Sequence, residues 1–215
     1  MNVAEQLVSQ MVEAGVHRIY GIVGDSLNPI VDAVRKTGGS ARGGIDWVHV
    51  RHEESAAFAA AADAQVSGKL AVCAGSCGPG NLHLINGLFD AQRSGAPVLA
   101  IASHIPSVQI GQSYFQETHP DRLFVECSSY CEMVSTAQQA PRVMNAAIRH
   151  AIGTQGVAVV TIPGDVSDQK AQAPTPQFVP ARRPILHPNP DDVAQLATML
   201  NKAKKVAIFA GIGVA

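Results

Sequence analysis

The sequence has no basic stripe. Lys and Arg number 16 against 17 Asp and Glu, a formal net charge of −1. That even balance argues against nucleic acid as a partner. Nowhere do apolar residues run for the roughly 20 positions a membrane helix needs. They come instead in short bursts broken by Gly, Pro and charge. The opening stretch MNVAEQLVSQMVEAG lacks the basic n-region and apolar h-region of a secretory signal. A cytoplasmic protein is the expectation. Cysteine is scarce, with 4 residues in two similarly spaced pairs, Cys73/Cys77 and Cys127/Cys131. A zinc hairpin uses C-x2-C with turn residues between the ligands. Cys73 lies instead inside the apolar run LAVCAG. Reduced thiols, mostly in the core, and no metal ligand in this chain are expected. No G-x-G-x-x-G follows the first strand, which disfavours a nicotinamide-binding domain, and no G-x-x-x-x-G-K-[ST] occurs.

What is present is an alternation of helix and strand. Val3, Leu7, Met11 and Val12 share one helical face over residues 2–15, closed by Gly15. A β-type run from Arg18 to Val23 stops at Gly24-Asp25-Ser26, ahead of a helix around Pro29 to Val34. TGGSARGG, residues 37–44, reads as a mobile loop. Further strands are expected at Ile45–Val50, Leu70–Ala74, Val98–Ala102, Glu132–Ser135 and Val157–Ile162. Helices are expected at about His52 to Val66, from Asn81 to Arg93, and around Pro141 to Ile152. Ser103 to Pro120 reads as one long irregular loop, a type that is often functional.

The strands are continuously apolar rather than alternating, as buried parallel strands are. The fold class is therefore α/β, a doubly wound, mostly parallel sheet with helices on both faces. Its ligands belong beyond the carboxyl ends of the strands. Residues 1–169 form this first domain, and 170–190 form a Pro-rich linker that cannot sustain helix or sheet. Residues 191–215 read as the start of another domain: a helix capped by Asp191-Asp192, then a strand Lys205–Ala210 ending in Gly211-Ile212-Gly213. That is too little to close its own core, so a longer protein is expected.

Three loops could carry chemistry. Gly75, Gly78 and Gly80 stand between a strand and a helix, where backbone amides can face an anion. Taken alone, this G-x-x-G-x-G fits a phosphate site and a plain tight turn equally well. Glu53 and Glu54 open a helix, where acidic residues simply complement the helix dipole. The helix they open, SAAFAAAADA, is nearly all small and packs closely. Such packing would draw a leading carboxylate away from water and make proton transfer near neutrality feasible. Tyr114-Phe115-Gln116-Glu117-Thr118-His119 could line a substrate pocket or be ordinary loop.

Read together, GDSLN, RHEESAAFAAAADAQVSGKLAVCAGSCGPGNLHLINGLFDA and FQETHP resemble the thiamine-diphosphate (ThDP) 2-oxo-acid decarboxylases. Within them the chain is most similar to the flavin-containing pyruvate oxidases of the quinone-reducing pyruvate dehydrogenase type. The resemblance runs from about Val3 to Asp165. It implies that residues 1–169 are a pyrimidine-binding (PYR) domain and that 191–215 begin a central FAD-binding domain. By position in R-H-E-E, Glu53 is then the catalytic carboxylate. It would hydrogen-bond the pyrimidine N1′ and favour the imino tautomer that takes the thiazolium C2 proton. Ser76, Gly78, Pro79, Gly80, Asn81 and His83 would shape the pyrimidine's seat. Gly24, Asp25, Phe115 and Gln116 would form substrate-side and flavin-side walls. The implied cofactors are ThDP, Mg2+ with ligands outside this chain, and FAD held mostly outside it. The implied partners are pyruvate, a quinone acceptor and a second copy of the chain, with no nucleic acid. Peripheral association with the inner membrane would come only through a further C-terminal part. A phosphate- and O2-dependent pyruvate oxidase and an acetolactate synthase are the alternatives within the superfamily. A catalytically inactive dimerisation module is the alternative of another class.

Overall fold

The computed structural model describes residues 1–179, 185 and 187–211, in two units, Met1–Arg183 and Pro184–Ala215. In the first unit six strands form one sheet: β1 (Arg18–Gly21), β2 (Asp46–His49), β3 (Ala71–Gly75), β4 (Val98–His104), β5 (Tyr130–Met133) and β6 (Val157–Pro163). All neighbours pair in parallel, in the order β2-β1-β3-β4-β6-β5. The expected α/β class is correct. Of the four interior strands, β3, β4 and β6 are buried at every residue, whereas β1 and the edge strand β2 are not. Continuous apolar runs are what strands covered on both faces require.

Alternate strand residues serve two separate cores, as the two-residue period dictates. Val72, Leu99, Ile101, Ala158 and Val160 join the core that includes Leu7 and Met11 of α1 (Val3–Glu13), Ile30 of α2 (Asn28–Lys36) and Ile148 of a later helix. Ala71, Cys73, Val98, Ala100 and Val159 point the other way. They meet α3 (Glu53–Ser67) and α4 (Pro79–Arg93). The remaining elements of this unit are α5 (Pro120–Leu123), α6 (Ala140–Thr154), which carries Ile148, and α7 (Gly164–Asp168).

The second core is built of small residues. Ala56, Ala57, Ala60, Ala61 and Ala64 of α3 are all buried. A Cβ on Gly87 of α4 would stand 2.5 Å from Ala57 Cβ and 2.7 Å from Phe58 N. The two helices therefore approach to backbone contact, and only glycine fits at the crossing. Their starts are held side by side as a result.

Strand order also fixes where a ligand could enter. The chain runs from β1 to the edge strand β2, then returns to β3 on the other side of β1. The chain thus leaves β1 and β3 in opposite directions across the sheet, and ligands of such sheets sit beyond the strand ends at this reversal.

Several expectations need correction. Residues 205–210 form no strand, because no neighbouring strand completes a ladder with them among the described residues. Ile212 and Gly213 lie outside the described residues, as do linker residues 180–184 and 186. Linker residues 171–179 have neither helix nor strand. The helix after the linker, α8 (Pro190–Lys202), is capped by Asn189, which accepts the Asp191 N–H at 3.0 Å; the two aspartates fill its first turn instead. Segment 37–44 is a hydrogen-bonded turn rather than a loose loop. Thr37 Oγ1 donates to Val34 O at 2.7 Å and accepts from Ile45 N at 2.9 Å, while Ser40 N donates to Asp46 at 2.9 Å. β5 begins two residues earlier than expected, at Tyr130, and β4 extends to His104. The short helices α5 and α7 have no strong apolar rhythm to announce them.

Candidate active site

Glu53 is the first residue of α3, and its neighbour His52 caps that helix by accepting the Glu54 N–H at 3.3 Å. Because α3 and α4 touch, Glu53 faces the first turns of α4. Its Oε2 lies 2.9 Å from His83 Nδ1. The carboxylate is only 9% exposed, and its Oε1 accepts no hydrogen bond among the described residues. A Cβ added to Gly80 would meet that Oε1 at 3.3 Å. His83 also stacks on His52, with ring centroids 4.2 Å apart and 27° between planes. Glu54 faces outward, where it pairs with Asn86.

The loop after β3 supplies the floor. Gly78 has φ +67 and leads into Pro79, the first residue of α4. A Cβ at Gly78 would collide with Gln116 Cβ at 2.8 Å, and one at Gly24 with Ser76 Oγ at 2.4 Å. Three loops far apart in sequence are thus in contact through glycines. Gln116 itself has φ +63, a strained backbone for a residue with a side chain. Glu117 holds that turn by accepting the backbone N–H groups of Gly111 and, at 2.9 Å, Tyr114. Those bonds, Gly111 first, keep its carboxyl below the usual range. Gly111, Ser113, Tyr114, Glu117 and His119 line a shallow pocket of about 380 Å³ beside the turn. Glu53, Phe115 and Gln116 are not among its lining residues.

Beneath the floor runs a serine network that sequence reasoning missed. Ser26 Oγ lies 2.9 Å from Ser76 Oγ and 2.6 Å from Ser103 Oγ, and accepts the Cys77 N–H at 3.0 Å. Ser103 Oγ donates to Gly75 O at 3.1 Å, and Asn81 Nδ2 donates to Ser103 O at 2.8 Å. These bonds tie the carboxyl ends of β1, β3 and β4 together. Ser26 could have been suspected from its place in Gly24-Asp25-Ser26; Ser103, one polar residue at the end of an apolar strand, gives no signal. The structure thus brings Gly24, Glu53, Ser76, Gly78, Pro79, Gly80, Asn81, His83 and Gln116 to one end of the sheet. Asp25 is exposed there and makes no side-chain hydrogen bond among the described residues, and Phe115 is 79% exposed.

A carboxyl with one braced and one free oxygen, beside a floor stripped of Cβ atoms, suits a flat heteroaromatic ring that can exchange a hydrogen bond. An aminopyrimidine has that shape and chemistry. Residues 1–123 match the family described as the thiamine pyrophosphate enzyme, N-terminal TPP binding domain. The chain belongs to the thiamine pyrophosphate enzymes. Among similar proteins, a 42.6 kDa protein from the isoamylase 3′ region of Pseudomonas amyloderamosa is 57% identical over 99% of this chain and 53% of its own length. Pyruvate oxidase of Lactiplantibacillus plantarum is 39% identical over 96% of the chain and 34% of its own. Acetolactate synthase isozyme 2 large subunit of Escherichia coli K12 is 33% identical over 100% and 38%. The chain therefore spans about half or less of the length of these relatives.

Three of the four cysteines stand apart from this chemistry; Cys77, in the floor loop, donates its thiol to Gln116 Oε1 at 3.4 Å. All are free, with Cys73, Cys77 and Cys127 buried. Burial pushes the thiols of Cys73, Cys127 and Cys131 up to about 12, 11 and 12. They stay protonated at neutral pH, which makes them poor metal ligands.

Proposed function

We propose that this chain is the pyrimidine-binding part of a ThDP enzyme that oxidatively decarboxylates pyruvate to acetate and CO2, passing electrons through FAD to a quinone. The observation that carries the reading is Glu53, with Oε2 held by His83 Nδ1 at 2.9 Å and Oε1 left without a hydrogen-bond partner. When bound, the cofactor supplies a thiazolium ring that takes up the electron pair released as CO2 leaves. Glu53 Oε1 holds and returns the proton at the pyrimidine N1′, and His83 fixes the plane of the carboxyl while it does so. Gly78, Pro79 and Gly80 make the seat, while Ser76 and Asn81, through Ser26 and Ser103, keep that seat from shifting. Gly24, Asp25, Phe115 and Gln116 border the substrate and flavin side.

Mg2+ demands oxygen ligands in an octahedron. The described cluster of potential ligands, His52, Glu53 and His83, carries two imidazoles. The metal and the diphosphate are accordingly assigned to residues outside this chain, as is most of the FAD site. A second copy is assigned to the α3–α4 surface, where Phe58 and Leu82 are 40% and 45% exposed. Among the described residues no helix is long and apolar enough to cross a membrane, and a cytoplasmic enzyme meeting its quinone at the membrane surface fits the reading.

The pyruvate oxidase relative supports pyruvate as substrate, and the synthase relative supports a second reading in which a further 2-oxo acid accepts the product. Product analysis separates them. The intact gene product, given pyruvate, ThDP, Mg2+, FAD and a quinone analogue, is expected to form acetate and reduce the quinone. Acetyl phosphate with peroxide would replace the quinone by O2 and phosphate, and acetolactate would replace the oxidase by a synthase. The 215-residue chain alone is expected to give no sustained turnover. Turnover by it would overturn the assignment of half the cofactor site to other residues.

A further inference from the structure

We propose that His52, Glu53 and His83 form a binding site for zinc or another late first-row transition metal, overlapping the carboxylate that the cofactor would use. One ligand atom from each residue lies within 4.8 Å of the others. Zinc holds such ligands at about 2.0–2.2 Å, which places neighbouring ligand atoms about 3.4 Å apart in a tetrahedron. The cluster must contract by somewhat over an ångström. The two histidine side chains, 47% and 42% exposed, are the members that can supply that movement, at the cost of their stack. Glu53, at 12% side-chain exposure, is the fixed member.

The donor set decides which ion fits. Two imidazoles and a carboxylate match zinc and copper and, more weakly, nickel and cobalt. Mg2+ and Ca2+ are poor occupants because they take oxygen ligands. A three-ligand site with the fourth position open to water is the usual arrangement of an accessible zinc ion. Nothing in this depends on the cofactor. Its consequence does rest on the ThDP reading: an ion held by Glu53 and His83 would take the carboxylate and its brace away from the pyrimidine, so zinc and cofactor compete. Zinc would then act as an inhibitor that Mg2+ does not mimic.

Calorimetric titration of the chelator-stripped chain with ZnCl2 tests the site directly. One zinc per chain is expected, with no heat from MgCl2. His52→Gln and His83→Gln should each weaken zinc at least about 10-fold, the lower end of what even an outer partner of a metal ligand contributes. Cys131→Ser should not change it. With Co2+ as probe, the visible bands of a low-coordinate site should appear and be lost in the same two histidine variants. Absence of stoichiometric zinc, or an affinity indifferent to both histidines, overturns the proposal. A separate arm adds ThDP and Mg2+ to the zinc-loaded intact gene product. Release of zinc supports a shared Glu53. Zinc retained while ThDP binds would sink the cofactor's use of Glu53 and leave the metal site standing.

Discussion

Glu53 combines two facts that a sequence shows only separately: it opens a helix, and it is nearly buried against a glycine floor. Its contribution to folding is small, a helix-dipole effect of roughly 0.3–1 kcal/mol. Its contribution to chemistry should be large. In the intact gene product, Glu53→Gln keeps the size but cannot carry the proton, so deuterium exchange at the cofactor C2 is expected to slow by about 10²–10⁴-fold. Glu54→Gln, one position on and paired outward with Asn86, should leave exchange near wild type. Unchanged exchange in Glu53→Gln would remove the catalytic role.

His104, at the carboxyl end of β4, is a second residue whose environment decides its behaviour. It is 2% exposed, and its Nδ1 has no hydrogen-bond partner among the described residues. Burial pushes its pKa below the ordinary 6.5, with the neighbouring charges of Glu117 and Asp121 only partly opposing. The unfolded chain therefore takes up a proton as pH falls through about 6.5 while the folded chain does not, and stability falls in that direction. The loss stops below the folded pKa, where both states are protonated. Urea unfolding at pH 7.5 and 5.5 should show a smaller drop for His104→Gln than for wild type. An identical drop in both would mean that His104 titrates normally in the fold.

At the scale of elements, the α3–α4 contact positions the site. Gly87 is its closest point, and Gly87→Ala places a methyl 2.5 Å from Ala57 Cβ. The helices must part, and overpacking of this kind costs about 1–3 kcal/mol. That outweighs the roughly 1 kcal/mol that alanine gains in helix propensity. A lowered urea midpoint is expected, together with weaker coupling between His83 and Glu53, visible as a shifted His83 ring resonance. A variant as stable as wild type would show that the helices have room to spare.

For the whole molecule, the decisive feature is that three loops converge where strand order reverses between β1 and β3. No loop is a site alone. Gly24, Gly78 and Gly80 each lack the Cβ that would strike a residue of another loop, so the glycines matter through partners distant in sequence. The candidate pyrimidine seat is therefore a property of the sheet's topology.

The sequence by itself determined the parallel α/β class, because the runs at Ala71–Gly75, Val98–His104 and Val157–Pro163 are apolar apart from Ser103, His104 and Thr161. It also determined most helix positions through local periodicity and glycine or proline at the ends, and it pointed to Glu53 through its place in R-H-E-E. What it could not show were interactions that depend on packing. The His83 brace on Glu53, the His52–His83 stack and the Ser26–Ser76–Ser103 network all join residues distant in sequence. Short-range patterns carry no information about such pairs. The strand expected at Lys205–Ala210 failed for the complementary reason: β propensity is local, but a strand exists only when a neighbour completes its hydrogen bonds. Only the tertiary structure decided which carboxylate was braced, because burial and hydrogen bonding are set by what the rest of the chain brings alongside.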